Sequence, residues 1–269
     1  MPRRLAIYAH YDPEGIVRGY TQHMLAALRP LCARVIFSST ASLTEAALET
    51  ARAAADEVRQ IPNVGADVAM YRDALSAVDA SSYDEVLLVN SSTIGPVGDL
   101  AALVERMSAD PCDFWGMTDG TDNPAGPWNL QGYFLAYKRQ VVASAAWADF
   151  WARAEPLTDK QEIICRYEYG LTACFTRAGF RPGCVVSVFT LKRAGENVTF
   201  TAPVELLQRG APLVKVAALR LLPAELVEPI RKTMLARGFD LRLVDEVAPV
   251  RLPPPRRVVP RRRRLQPGH

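Results

Sequence analysis

The sequence predicts an α/β fold built on a mostly parallel sheet flanked by helices. Three observations carry this expectation. Residues 5–10 (LAIYAH), 34–39 (RVIFSS) and 85–90 (EVLLVN) are short apolar runs that lead into polar residues, the pattern of strands buried on both faces. Residues 15–31 join the first two and carry Ile16, Val17, Tyr20, Met24, Leu25 and Leu28 at helical spacing. Continued alternation of strands and helices implies parallel strands, with ligands bound beyond their carboxyl ends.

The remaining elements follow in order. A helix is expected over 42–59, where Ser42 stands three residues before Glu45 as in a capping box, ahead of an alanine-rich run. A helix over 98–107 leads into a strand over 112–119 (CDFWGMTD), a Gly-, Pro- and Asn-rich loop over 120–129 and a strand over 130–137. Helices over 140–153 and 159–178 come next, the second stopped by Gly179 as a C-cap. Residues 182–204 read as short strands and loop, and helices over 203–208 and 224–237 close the folded part. With 269 residues and 49% hydrophobic content the chain suffices for one main core, expected over residues 1–252. Residues 253–269, PPPRRVVPRRRRLQPGH, hold too little apolar material to fold alone and read as a disordered tail.

Composition removes several function classes. The five cysteines (Cys32, Cys112, Cys165, Cys174, Cys184) are at least nine residues apart, so no zinc-like pair spacing exists, and they read as reduced thiols of a cytoplasmic protein. The apolar stretch before His10 is too short for a secretory signal, and there is no run of about 18 or more apolar residues, the length that spans a membrane. Six arginines (Arg256, Arg257, Arg261, Arg262, Arg263, Arg264) fall in the last fourteen residues, and removing them from the net charge of +3 leaves −3. Basicity confined to a tail, without interleaved aromatics on regular elements, argues against a folded nucleic-acid-binding face.

Seven segments go further. HYDPEG (10–15), NVGADVAMYRDAL (63–75), YDEVLLVNSSTIGP (83–96), CDFWGMTD (112–119), QGYFLAYKR (131–139), RYEYGLTACFTRAGF (166–180) and PVELLQRGAPLVKVAALR (203–220) resemble, in order, the motifs of the rhamnan-synthesis F family. The resemblance covers residues 5–220. It implies a GT-A-like (Rossmann-like) fold and a glycosyltransferase of the hexosyltransferase class, an inverting rhamnosyltransferase that uses dTDP-L-rhamnose to extend a bacterial surface polysaccharide. The implied acceptor is a glycan, lipid-linked at the inner face of the cytoplasmic membrane, and the tail arginines suit peripheral contact with anionic headgroups at about 1 kcal/mol each. A solubilising end explains those arginines equally well. Two other readings stay open: a transferase of another sugar, and a non-catalytic nucleotide-sugar or glycan-binding subunit of a synthase complex.

Such a transferase needs a nucleotide site, donors or a cation for the leaving diphosphate, and a base for the acceptor hydroxyl. His10, Tyr11 and Asp12 end the first strand, where an aromatic ring can stack on a nucleobase and Asp12 can either bond it or cap a helix starting at Pro13. Asn63, Gly65 and Asp67, with Arg72, resemble the Asn-x-Gly loop near the donor sugar in GT-A enzymes; the alternative is an ordinary strand-to-helix turn. Asn90, Ser91 and Ser92 stand where many GT-A enzymes place an acidic metal-binding pair and where relatives in the resembled family commonly show Asn-Asp-Ser, so Ser91 replaces a carboxylate. A hydroxyl is a poor ligand for Mg²⁺ or Mn²⁺, so no tightly bound cofactor is expected; a divalent metal is possible but not favoured. Lys192 and Arg193, with Arg72 as a further candidate, can then meet the diphosphate, or all three are solvated surface cations. Glu168 matches the acidic position that supplies the base in inverting GT-A enzymes, with Asp119 the alternative, Glu162 a third, and pairing to Arg166 or Arg177 the structural reading. Asp119 also reads as a sugar contact, and Asp119 with Asp122 as a cation pair or turn caps.

Overall fold

The computed structural model describes residues 2–121 and 128–248. Its first half is β1 (Arg4–His10), α1 (Gly19–Leu28), β2 (Arg34–Ser39), α2 (Glu45–Ala54), β3 (Glu57–Gln60), α3 (Ala66–Ser76) and β4 (Glu85–Asn90). After β5 (Thr93–Ile94) and α4 (Leu100–Ala109) come β6 (Phe114–Gly120), β7 (Asn129–Leu130) and β8 (Phe134–Lys138). Then follow α5 (Arg139–Val142), α6 (Ala145–Arg153), α7 (Lys160–Ile163), a π-helical segment Ile164–Tyr169, α8 (Gly170–Arg177) and β9 (Pro182–Val186). The chain continues through α9 (Val198–Thr201), α10 (Pro203–Gln208), β10 (Val214–Lys215), α11 (Val216–Leu221), α12 (Ala224–Ala236) and α13 (Leu241–Asp245).

The main sheet runs β3-β2-β1-β4-β8-β6-β7, with β9 beside β6. β1 is parallel to β2 and β4, β2 to β3, and β6 to β9, while β8 is antiparallel to both β4 and β6. The mostly parallel sheet expected from the alternating pattern therefore forms, with β8 inserted against the grain. Because β8 reverses twice, the carboxyl ends of β1, β4 and β6 fall on the same edge of the sheet.

Alternation along the central strands separates two cores. Leu5, Ile7, Val86 and Leu88 join α3, α6 and α8 on one face, whereas Ala6, Tyr8, Leu87 and Val89 join α1, α2 and α4 on the other. Both faces being covered, β1 and β4 are buried throughout, which is why they read as unbroken apolar runs. A third cluster packs α10 to α13 against Tyr20, Ile94 and Val97. Below the sheet, Arg4 is fully buried and pairs with Glu85 at 2.8 Å, and Glu85 also accepts from Trp115 Nε1 at 3.0 Å.

Several boundaries differ from expectation. The helix expected over 15–31 starts only at Gly19, so Asp12 caps no helix at Pro13; it accepts from Glu14 N at 2.9 Å and from Arg18 Nε at 2.6 Å, ordering the connecting turn. Gly15 holds φ +68°, and a Cβ there would lie 2.0 Å from Ser42 O, so this turn rests directly on backbone. The helix expected over 42–59 is capped by Thr44, which accepts from Ala47 N, and ends at Ala54 so that β3 can add to the sheet. The strand expected over 130–137 is two strands around a turn at 131–133, and the helix over 159–178 carries the π-helical segment at its centre. β5, β10, α11 and α13 were too short to raise a periodic signal.

Candidate functional site

The carboxyl edge of β1 and β4 gathers much of what the sequence singled out. His10 ends β1 fully buried, with Nδ1 3.0 Å from Ser39 Oγ and its ring against Phe37. Burial pushes its imidazole down to about 4, so it sits beneath the edge as a neutral ring. Tyr11, the next residue, is half exposed and its N–H donates to Ser91 Oγ at 3.2 Å. The serine that replaces a carboxylate thus ties the loop after β1 to the loop after β4. Tyr20 Oη adds a bond to Ser91 O at 3.3 Å.

Gly65 is the N-cap of α3 at φ 87°, a backbone state that favours glycine, and Asp67 follows in the first turn. Asn90 Nδ2 donates to Asp67 Oδ2 at 2.5 Å, while Asn90 Oδ1 accepts from Ser92 N at 3.1 Å and from Ser92 Oγ. One carboxamide therefore joins the start of α3 to the turn after β4. Asn63 lies in the exposed loop just before.

Lys215 completes this group; the sequence reads its segment, 205–220, as packing and pocket rim with no clear catalytic group. β10 pairs antiparallel with β5, setting Lys215 opposite Thr93, and Lys215 Nζ lies 3.1 Å from Ser92 Oγ and 4.7 Å from the centroid of the Tyr133 ring. Burial pushes its ammonium below the ordinary lysine value, opposed by the carboxylates of Glu168 and Asp67. Burial likewise pushes the Asp67 carboxyl up, opposed by the Asn90 bond and Lys215. A signal was present: Lys215 is the only charged residue between Arg209 and Arg220 and ends an apolar run.

Glu168 is exposed on the π-helical segment and packs over Gly132, where an added Cβ would lie 3.6 Å from Glu168 Cγ. Its neighbour Tyr167 is buried; its hydroxyl donates to Glu155 O at 2.7 Å and accepts from Glu155 N at 2.6 Å. Pro156, next along, is the residue on which a Gly65 Cβ would collide, so the Glu168 segment and the start of α3 are braced by the same loop. π-helical turns inside helices are rare and cluster at functional sites. Arg166 reaches Glu155 and Glu162 on the outer surface.

The other candidates make separate contacts. Asp119 is buried at the end of β6, and its carboxylate accepts from Trp128 Nε1, Ser187 Oγ and Val188 N, each at 2.6 Å. That makes it the anchor of the loop after β9, with its oxygens turned inward. Asp122 lies outside the described residues. Arg193 pairs with Glu196 at 3.1 Å and Glu205 at 3.2 Å, and Lys192 is exposed at φ 57°; neither bonds to the Asp67, Asn90, Ser92 and Lys215 group. Arg72 is exposed on the outer side of α3, lining a groove with Glu155 and Pro156.

The turn after β4 stands where an acidic metal-binding pair is found in many GT-A enzymes, and its own residues do not fit a divalent metal. The turn offers two hydroxyls and a carboxamide where a hard dication takes carboxylate oxygens. Ser91 Oγ is occupied by Tyr11 N, Ser92 Oγ by Asn90 and Lys215, and an ammonium at this point repels a second cation. Among the described residues, no group of three or more His, Cys, Asp or Glu is arranged to hold a metal ion.

Among solved structures, the chain is similar to 4-diphosphocytidyl-2C-methyl-D-erythritol synthase from Anaerococcus prevotii, at 12% identity over 69% of this chain and 89% of that one, TM-score 0.42. It is similar to glucosyl-3-phosphoglycerate synthase from Mycobacterium tuberculosis, in complex with Mn²⁺, uridine diphosphate and glucosyl-3-phosphoglycerate, at 16% identity over 52% of this chain and 58% of that one, TM-score 0.38. A mycobacterial protein matches at 15% identity over 89% of this chain and 76% of that one, TM-score 0.46. No curated protein matches the sequence. The family model of rhamnan synthesis protein F matches residues 35–244, from β2 through α13, and so takes in Asp67, Asn90, Ser92, Glu168 and Lys215 while leaving β1 and Tyr11 outside. A match over most of the chain, carrying both the turn after β4 and the strand that brings Lys215 to it, makes this chain a member of the rhamnan synthesis protein F family.

Proposed function

We propose that the chain is a glycosyltransferase, an inverting rhamnosyltransferase that moves L-rhamnose from dTDP-L-rhamnose to a hydroxyl of a growing surface glycan. The observation that supports it most is the meeting of Tyr11, Asp67, Asn90, Ser92, Lys215 and Glu168 around the carboxyl edge of β1 and β4 in a member of this family. In this reading the half-exposed Tyr11 ring receives the nucleobase, and Asp67 with Asn90 faces the donor sugar. Glu168 takes the proton from the acceptor hydroxyl as its oxygen bonds to the anomeric carbon. The carbon–oxygen bond to the diphosphate breaks on the opposite face, and dTDP leaves with that electron pair. Asp119, with its carboxylate engaged by three donors, serves the scaffold in this scheme.

Transfer assays across dTDP-, UDP- and GDP-linked sugars test the donor. Transfer from dTDP-L-rhamnose is expected, and binding of UDP or GDP donors without dTDP ones would replace the sugar assignment. Glu168→Gln should lower turnover by about 10²–10⁴ with donor affinity retained. Full turnover in that variant would move the base elsewhere. The non-catalytic subunit is the second reading, favoured by the turn after β4 having no carboxylate of its own. It predicts donor binding with neither transfer nor donor hydrolysis.

A further inference from the structure

We propose that Lys215 is the fixed cation of the donor site, its ammonium standing where other GT-A enzymes hold a divalent metal and receiving the diphosphate of a nucleoside diphosphate. The inference rests on the nucleotide-sugar reading above and assigns the part of it that Lys192 and Arg193 do not fill.

The backbone fixes where the lysine starts. β10 is pinned to β5 by its ladder, and the pinning continues on both sides, with Val216 N donating to Ser92 O at 2.9 Å and Val97 N donating to Pro212 O at 2.8 Å. Ile94 and Val214 are buried behind it in the C-terminal core. At Gly95, a Cβ would lie 2.5 Å from Pro212 O, so the two segments approach as closely as backbone permits. The lysine therefore emerges from a rigid base at the turn after β4, where strand-end ligands bind.

The side chain arrives with capacity to spare. An ammonium carries three donors. Here the neutral hydroxyl of Ser92 and the face of Tyr133 are its close neighbours. Asp67 and Glu168 are the carboxylates that face it from α3 and the π-helical segment, and their charges favour its ammonium form. Arg193 differs, being held between Glu196 and Glu205. A half-buried ammonium gains from a ligand that supplies charged oxygens, and in a site shielded from water such contacts are stronger than at the surface. Burial lowers the lysine value, and a ligand's negative charge beside it would raise it again. Since the ammonium occupies Ser92, it also excludes the metal it replaces.

Calorimetric titration of the full chain in EDTA with dTDP, UDP, GDP and inorganic pyrophosphate tests this, on wild type, Lys215→Met and Lys215→Arg. Wild type is expected to bind one of the nucleoside diphosphates without metal. Lys215→Met should weaken it by about 10- to 100-fold, with Lys215→Arg recovering part of the loss. Binding by Lys215→Met at wild-type affinity overturns the assignment and leaves the donor reading intact. So does wild-type binding that needs Mn²⁺ or Mg²⁺, a result independent of whether any variant folds. No binding of any nucleoside diphosphate with or without metal overturns the donor reading and this inference together.

Discussion

Residue by residue, the strand ends carry groups of two kinds, those turned into the scaffold and those turned to the edge. His10 belongs to the first, and its burial has a consequence in solution. An imidazole titrates near 6.5 in the unfolded chain and at about 4 in the folded one. Between those values the unfolded chain binds more protons, so stability rises with pH through that window and is lost on acidification. The gap corresponds to about 3 kcal/mol, most of it lost by pH 4 and the rest below it. Urea denaturation at pH 7 and pH 4.5 should show most of that loss in wild type and a visibly smaller loss in His10→Gln, after allowing for the lower baseline of the variant. Equal losses in the two proteins would assign the acid sensitivity to other groups. Asp119 is also turned to the protein, its carboxylate accepting three hydrogen bonds at the end of β6. Position along a strand can be read from sequence, whereas the three donors that close on it come from the loop after β9 and from Trp128 just before β7.

For whole elements, what could be read depended on length and on periodicity. The buried strands β2 and β4 stand out because burial on both faces leaves no polar residue to break the apolar run. β3 was absorbed into the preceding helix because its four residues, EVRQ, are mostly polar and half-buried at the sheet's edge. β5 and β10 hold two residues each, too few for any pattern, yet they bring Lys215 to Ser92. The candidate site was therefore legible where it sits on α3, β4 and the Glu168 helix, and illegible where a distant segment of 123 residues' separation completes it. Gly65 shows how tightly one of the legible parts is set. At φ 87° an alanine strains the backbone by about 1–2 kcal/mol, and its Cβ would meet Pro156 Cα at 2.8 Å and Ala69 Cβ at 2.9 Å. Gly65→Ala should lose about 2 kcal/mol or more in denaturant titrations, and should also weaken nucleotide binding, because α3 carries Asp67 into the site. Unchanged stability would mean that the Pro156 loop yields freely and does not brace this turn.

Across the whole molecule, charge is divided unevenly. The six arginines after Pro253 outweigh a remainder whose net charge is −3. No helix among the described residues is long and apolar enough to cross a membrane. An anionic leaflet contributes about 1 kcal/mol per basic residue near it, falling away within a Debye length of about 8 Å at physiological salt. The body of the chain, being net negative, is repelled by the same leaflet, so the arginines have to supply all of the attraction. Two outcomes follow for co-sedimentation with vesicles containing phosphatidylserine. The full chain should bind at low salt and release as salt rises, and a chain ending at Leu252 should not bind. Nucleotide binding should be equal in the two, since Lys215, Asn90 and Glu168 all lie before the deletion. Vesicle binding that persists in the shortened chain would shift the contact to the body, where Leu221, Leu226 and Leu235 are exposed on α11 and α12.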